Sequence, residues 1–416
     1  AGIVGAATAL AAARDGLRVA LVEAHAPPAW RAESPDLRVY AFAPDNAALL
    51  ADLGVWENIR ATRAQAYRRM RVWDAAGGGE LCFDADAFGR PALGHIVEHA
   101  LLVDRLWAAC AAEAGIHRHC PDKLESIEQQ DDLAAVWLAS GTVLHARLVL
   151  GADGAASKVR ACAGLDADSH DYGQRGLVAY VGTQCPHEDT AWQRFLPTGP
   201  LAFLPCADGR CSIVWSLPAD EAQRLLDADE EPFRRELTRA FDARLGEVVS
   251  VSARAAFPLR RQLARHYVAG RVLALGDAAH VVHPLAGQGV NLGFQDAARL
   301  AAVLAGVDAT QVNSRAALAR LPVTRKHALL ERQQAARLGL HRRAGGGRAG
   351  GGRARRAAAR ELHRLLRPRP RQAPAGHRRA PPRRGAGPRV RPSGRGQAQA
   401  RGGDQHPRLG RRGGAA

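Results

Sequence analysis

Apolar residues in this chain gather into short runs, each closed by a glycine or an acid and followed by small residues at helical spacing. Leu17 to Val22 is one run and ends at Glu23. Ala146 to Leu150 is a second and leads into Gly151-Ala-Asp153-Gly154. Arg271 to Leu275 is a third and ends at Gly276-Asp277. Runs of this length bounded by turn residues read as buried strands. The segments Ala6 to Leu10, Ala47 to Leu53 and Gly289 onward carry the alanine and leucine spacing of buried helices. Strand, turn and helix recurring in that order predict an α/β fold. Between residues 166 and 265 the pattern changes to alternation. Ser212-Ile-Val-Trp-Ser216 follows the turn Ala207-Asp-Gly-Arg210, and together they predict a β-hairpin.

The turns carry the candidate chemistry. Ala1-Gly2-Ile3-Val4-Gly5 looks like a Gly-x-Gly-x-x-Gly turn without its first glycine. Gly2 would let backbone approach a pyrophosphate, Gly5 would allow close helix–strand packing, and Glu23, roughly 20 residues on, would accept ribose hydroxyls. A strand that belongs before such a turn would precede residue 1, so the chain is expected to be truncated there. Mid-chain, Asp153 and Gly154 predict a tight turn that Arg160 can order. The third motif runs from Leu275 through Gly276, Asp277, Pro284, Gly287, Gln288, Gly289, Val290 and Asn291 to Asp296. It places a carboxylate at a strand end and a helix N-terminus after a glycine-rich turn, suited to sugar hydroxyls and to phosphate or an electron-rich ring.

These three motifs, in this order, resemble the FAD-dependent aromatic hydroxylases. Further segments are similar to the ubiquinone-biosynthesis branch of that family: Tyr172-Gly-Gln174, Ala191-Trp-Gln-Arg-Phe195, Gly199 to Pro205, Ser212 to Ser216 and Phe257-Pro-Leu259. Leu37-Arg38, Ala47 to Trp56 and Leu93 to Glu98 also match, with His99 where the family usually has Asn. The resemblance covers residues 1 to about 310. It implies a Rossmann-like FAD-binding domain with an inserted β-sheet substrate domain, similar to p-hydroxybenzoate hydroxylase. The expected divisions are 1–165 and 266–340 for the two parts of the FAD-binding domain, 166–265 for the sheet and 341–416 for a tail.

The resemblance further implies that Gly2, Gly5 and Glu23 hold the ADP half of FAD. Asp153 and Gly154 would lie by the pyrophosphate, and Gly276 and Asp277 by the ribityl chain. Pro284, Gly287, Gln288, Gly289, Val290 and Asn291 would pass beside the flavin ring, with Arg38 approaching from its other side. NAD(P)H would reduce the flavin, O₂ would add to it as a C4a-hydroperoxide, and one oxygen would pass to a polyprenylated phenol or benzoquinol. The cofactor carries the difficult chemistry, and no protein residue is assigned as catalytic base. A soluble aromatic substrate is the second reading, and an inactive remnant with a nucleic-acid-binding tail the third. A prenylated substrate implies peripheral contact with the inner membrane from the cytoplasm, or delivery within a ubiquinone-biosynthesis complex.

Composition changes this picture in one respect. The formal net charge of +17 would suggest a nucleic-acid partner, but residues 341–416 alone hold 22 Arg against two acids, Glu361 and Asp404. The other 340 residues carry 36 basic and 39 acidic side chains, so no nucleic acid is expected for the body. The tail is Arg, Gly, Ala and Pro, a composition expected to be disordered. A basic arm for RNA or anionic lipid, a solvated spacer and an out-of-frame translation all compete as its origin. The excess of 55 Arg over three Lys favours the last, because GC-rich DNA in a wrong frame yields these residues. The seven cysteines form no C-x-x-C pair, which argues for reduced thiols and against a disulfide reductase. His117, His119 and Cys120 lack a fourth ligand, so no metal is expected. His280 and His283 are expected to play a hydrogen-bonded structural role, with acid–base work as the alternative. No run of 18 apolar residues predicts a membrane-crossing helix.

Overall fold

The computed structural model describes residues 2–283 and 288–305. Its first layer is built around the helix Ile3–Arg14, an almost wholly buried alanine-rich rod. Small side chains let neighbouring backbones come close, and the helix packs against both His99–Ala112 and Gln288–Leu304. Cys110 reaches the Ala6 carbonyl at 3.4 Å. Parallel strands flank this helix layer in two pieces. Val19–Val22 pairs with Ile116–His119, and Val149–Gly151 pairs with Val272–Ala274. Among the described residues no strand lies between the two pieces. The Leu17 and Arg271 runs thus form strands as expected. The Ala146 to Leu150 run splits, because Ala146 closes Val143–Ala146 in a separate antiparallel sheet with Ala134–Leu138. One apolar run serves two sheets, which its composition could not reveal.

The second layer is a nine-stranded sheet. Along its main path lie His280–Val281, Ala255–Ala264, Ala167–Thr183, Cys211–Pro218, Gly199–Pro205, Thr190–Leu196, Arg69–Asp74 and Gly77–Asp84, with Val248–Val251 beside Ala167–Thr183. The predicted hairpin is present: Gly199–Pro205 and Cys211–Pro218 are antiparallel, and Cys206 N–H closes on the Arg210 carbonyl at 2.9 Å. The sheet extends beyond 166–265, since Arg69–Asp74 pairs in parallel with Thr190–Leu196 and brings Gly77–Asp84 with it. Alternation gives the sheet two different faces. One is covered by the helices Ala219–Asp227 and Glu230–Ala240 over Phe203, Ile213, Trp215, Phe233 and Phe241. There Phe203 and Phe241 stack with ring centroids 3.6 Å apart. The other face looks into a cavity shared with the helix layer.

Two glycines decide how tightly the layers close. Gly276 has φ of +54°, and a Cβ there would meet Val4 Cγ1 at 3.3 Å. A Cβ at Gly293 would stand only 2.6 Å from Val4 Cγ2. Val4 is short and β-branched, so it cannot swing clear. Gly293→Ala is therefore expected to destabilise the protein by roughly 1–3 kcal/mol in urea unfolding. Combining it with Val4→Ala should recover part of that loss, whereas additive losses would show that this contact is not limiting.

Candidate functional site

The shared cavity has a volume of about 2020 Å³, and its wall begins at the N-terminus of Ile3–Arg14. Gly2, Ile3, Val4 and Gly5 line it. Gly2 is extended at the cap and no side chain caps the first turn. The first N–H groups of the helix and the positive end of its dipole thus face the cavity, a setting suited to phosphate. A Cβ on Gly2 would meet no protein atom within 4 Å, so that side is open to a ligand. Glu23 follows the strand Val19–Val22 and also lines the cavity. Its main chain is held by the His119 carbonyl at 3.0 Å, and its carboxylate accepts the His25 N–H at 3.1 Å.

The mid-chain turn forms as expected. Gly154 has φ of +81°. The Asp153 carboxylate accepts Ser157 Oγ at 2.5 Å and Val159 N–H at 3.0 Å, while Ser157 Oγ accepts Arg160 N–H at 2.9 Å. Asp153 lines the cavity while anchoring the short helix Lys158–Cys162. Arg160 reaches further than its own turn: it donates to the Ala278 carbonyl at 2.7 Å and to the Ala155 carbonyl at 3.0 Å. One guanidinium thereby ties the mid-chain motif to the third motif.

In that third motif Asp277 sits on a single 3₁₀ turn, Gly276–Ala278, and its carboxylate opens onto the cavity. The protein packed around it disfavours the charged form and raises its pKa, against the opposing charges of His280, Arg38 and Arg260. Gly276 itself does not line the cavity; its N–H donates to Asp296 Oδ2 at 3.2 Å. The same oxygen meets His280 Nε2 at 2.6 Å, with both side chains almost wholly buried. Asp296 thus fixes the turn from behind, and His280 takes the structural role. His283 is 1% exposed and neither ring nitrogen has a partner among the described residues. It stands edge-on to Tyr172 at 5.2 Å.

Gly289 and Val290 line the cavity at the start of Gln288–Leu304. Asn291 does not. Its side chain accepts the Ala43 N–H at 2.9 Å and Asn46 Nδ2 at 2.7 Å, and donates to the Ala41 carbonyl at 2.8 Å. It docks the helix onto the strand Val39–Phe42, which carries Tyr40 just beyond Arg38. Pro284 and Gly287 lie outside the described residues, as do the Gln288 side chain and everything from 306 on, including the tail. Arg38 lines the cavity with its guanidinium 5.7 Å from the Phe257 ring centre. Beside it Tyr40 Oη and His99 Nδ1 are 3.1 Å apart, and both residues face the cavity. Sequence reasoning gave no part to Tyr40, Asn46 or Asp296. A buried acid on an apolar helix face was the available signal for Asp296.

All seven cysteines are free thiols. No group of three or more metal-ligating side chains occurs among the described residues. No helix among them is long and apolar enough to cross a membrane.

A helix N-terminus, a strand-end acid and a turn carboxylate stand around one cavity roofed by a sheet, a setting that suits a dinucleotide cofactor. Residues 1–317 match the family model described as FAD binding domain. The chain is 39% identical over 306 residues to the 3-demethoxyubiquinol 3-hydroxylase of Escherichia coli, covering 73% of this chain and 77% of that one. It is 35% identical over 301 residues to the ubiquinone hydroxylase UbiL of Rhodospirillum rubrum, covering 72% and 70%. The crystal structure of PqsL, a probable FAD-dependent monooxygenase from Pseudomonas aeruginosa, superimposes with a TM-score of 0.62 at 27% identity, over 77% of this chain and 90% of that one. The chain belongs to the FAD-dependent ubiquinone-biosynthesis hydroxylase family.

Two pH effects follow. Burial lowers the His283 pKa from its ordinary 6.5 to about 4. The folded state therefore binds this proton less readily than the unfolded chain. The stabilisation is complete above the unfolded value and is lost as pH falls through 6.5 toward 4. His283→Phe should flatten that slope in urea titrations between these limits; an unchanged slope would assign it elsewhere. Asp277 works in the opposite sense, because its raised pKa means that ionisation costs stability as pH rises. Asp277→Asn should raise the melting temperature of the flavin-free protein at neutral pH, and a lowered one would contradict this.

Proposed function

We propose that this cavity holds FAD and that the chain hydroxylates the ring of a polyprenylated phenol or benzoquinol in ubiquinone biosynthesis, using NAD(P)H and O₂. The observation that carries this reading is continuity. The cavity that begins at the helix N-terminus and Asp277 runs on, without a break, to the apolar sheet face at Val178, Ala202, Val214 and Leu259. The residues fit the cofactor: an uncapped helix start for phosphate, a strand-end acid for ribose, and a carboxylate opening onto the same space.

On this reading Gly2 and Gly5 admit the pyrophosphate and Glu23 accepts the adenosine ribose hydroxyls. Asp153 and Gly154 shape the pyrophosphate side, and Asp277, on the turn begun by Gly276, accepts ribityl hydroxyls. Gly289 and Val290 bound the ring side, continued by Pro284, Gly287 and Gln288. Arg38 approaches from the opposite wall, and Asn291 positions the helix rather than touching the cofactor. When bound there, FAD would supply the redox chemistry between NAD(P)H and O₂ that side chains lack. The protein orients the substrate ring and keeps water away from the reacting atoms, which the apolar sheet face does. So apolar a substrate has to arrive from a membrane surface or from a partner in the pathway, which makes peripheral contact with the inner membrane part of the proposal.

Incubating the FAD-loaded chain with NAD(P)H, a short-chain prenylated phenol and isotopically labelled O₂ tests this reading. Mass spectrometry should find one labelled oxygen on the ring. Labelled benzoates with untouched prenylated phenols would move the substrate to a soluble aromatic. Asp277→Ala removes hydrogen bonds to a charged acceptor and should weaken FAD binding by roughly tenfold to a hundredfold in a fluorescence titration. An unaltered affinity would take Asp277 out of the site.

A further inference from the structure

The cavity-facing side of the sheet is apolar along its middle row, with one exception. Cross-strand register places Val72, Gln193, Ala202, Val214 and Val178 side by side across five strands. The neighbours of Gln193 along its own strand face the other way. Trp192 packs edge-on to Trp73 and Phe241, and Arg194 donates to the Ala240 carbonyl at 2.9 Å. Strand alternation therefore turns Gln193 toward the cavity, which it lines. The residue is only 8% exposed, and its amide has no hydrogen-bond partner among the described residues. Other glutamines of the chain are engaged, Gln262 with the Ala155 carbonyl and Gln174 with the Thr198 carbonyl. The Gln193 amide atoms stay accessible from the cavity, and a polar group set in an apolar wall is placed to fix the orientation of a ligand.

We propose that Gln193 is a specificity-determining residue that hydrogen-bonds an oxygen substituent of the substrate ring, orienting an otherwise apolar molecule on the sheet. The assignment rests on the hydroxylase reading above. An amide both donates and accepts, so it serves a phenol hydroxyl in either sense and an alkoxy oxygen as donor. Being uncharged, it matches a neutral oxygenated ring and gives no charge to pair with a carboxylate. Ser216, two strands away on Cys211–Pro218, is a further hydroxyl-bearing residue that lines the cavity. The flanking residues, Val72 and Ala202, offer the ring no competing polar contact.

The test compares the FAD-loaded full chain with its Gln193→Leu variant, using a short-chain prenylated phenol and the same molecule with hydrogen in place of the hydroxyl. Binding is read from the change in flavin absorbance, and coupling from hydroxylated product formed per NAD(P)H consumed. The wild type should bind the phenol about tenfold or more tightly than the deoxy compound, the worth of one good hydrogen bond. Gln193→Leu should bind the two alike within about threefold, retain FAD, and yield less product per NAD(P)H. A variant that keeps the wild-type preference and coupling would overturn the assignment. So would a wild type that binds both compounds equally, whatever the variant does. A wild-type chain that holds FAD but accepts no prenylated phenol would instead overturn the function reading, and this assignment with it.

Discussion

The turn that presents Asp277 cannot hold its own shape, and most of the architecture serves to hold it. Gly276 is in the left-handed region, where a side chain would be strained. Its N–H is held by Asp296 from the last described helix, and the Ala278 carbonyl is held by Arg160 from mid-chain. Val4 of the first helix packs against the glycine from a third direction. Segments far apart in sequence thus meet at one short turn. A carboxylate that is costly to ionise is kept in place because three separate elements fix the backbone beneath it.

The nine-stranded sheet completes the site by having two unlike faces. Trp73, Trp192, Phe203 and Trp215 pack under two helices on one face. Small and branched residues on the other face leave an open apolar wall. An apolar wall limits access by water to a ring that lies against it. The parallel pairing of Arg69–Asp74 with Thr190–Leu196 also binds the sheet to the helix layer through the chain itself, so the two walls of the cavity are covalently continuous at more than one place.

Much of this was legible because glycines and acids at strand ends are local signals. Gly2, Glu23, Gly154 and Asp277 stand around the cavity for reasons visible in a few neighbouring residues, and the hairpin at Ala207 to Arg210 follows from its own turn. What was not legible depends on long-range register. That Asn291 spends its side chain on Ala43, Asn46 and Ala41 requires knowing that a strand some 250 residues earlier lies beside it. That the sheet recruits Arg69–Asp74 requires a parallel partner more than a hundred residues away. Gln193 reads as one polar residue in a strand until its row is assembled from five strands. The division of Ala146 to Leu150 between two sheets is hidden because both halves are equally apolar.

The central claim is that one cavity, framed by the first helix and the Asp277 turn, holds FAD. The most direct test is the visible spectrum of the purified chain after incubation with FAD and passage through a desalting column. The account predicts a flavin spectrum that travels with the protein, with resolved vibronic shoulders and quenched fluorescence as expected of a ring taken out of water. A folded protein that emerges colourless, with all flavin in the salt fraction, would contradict it.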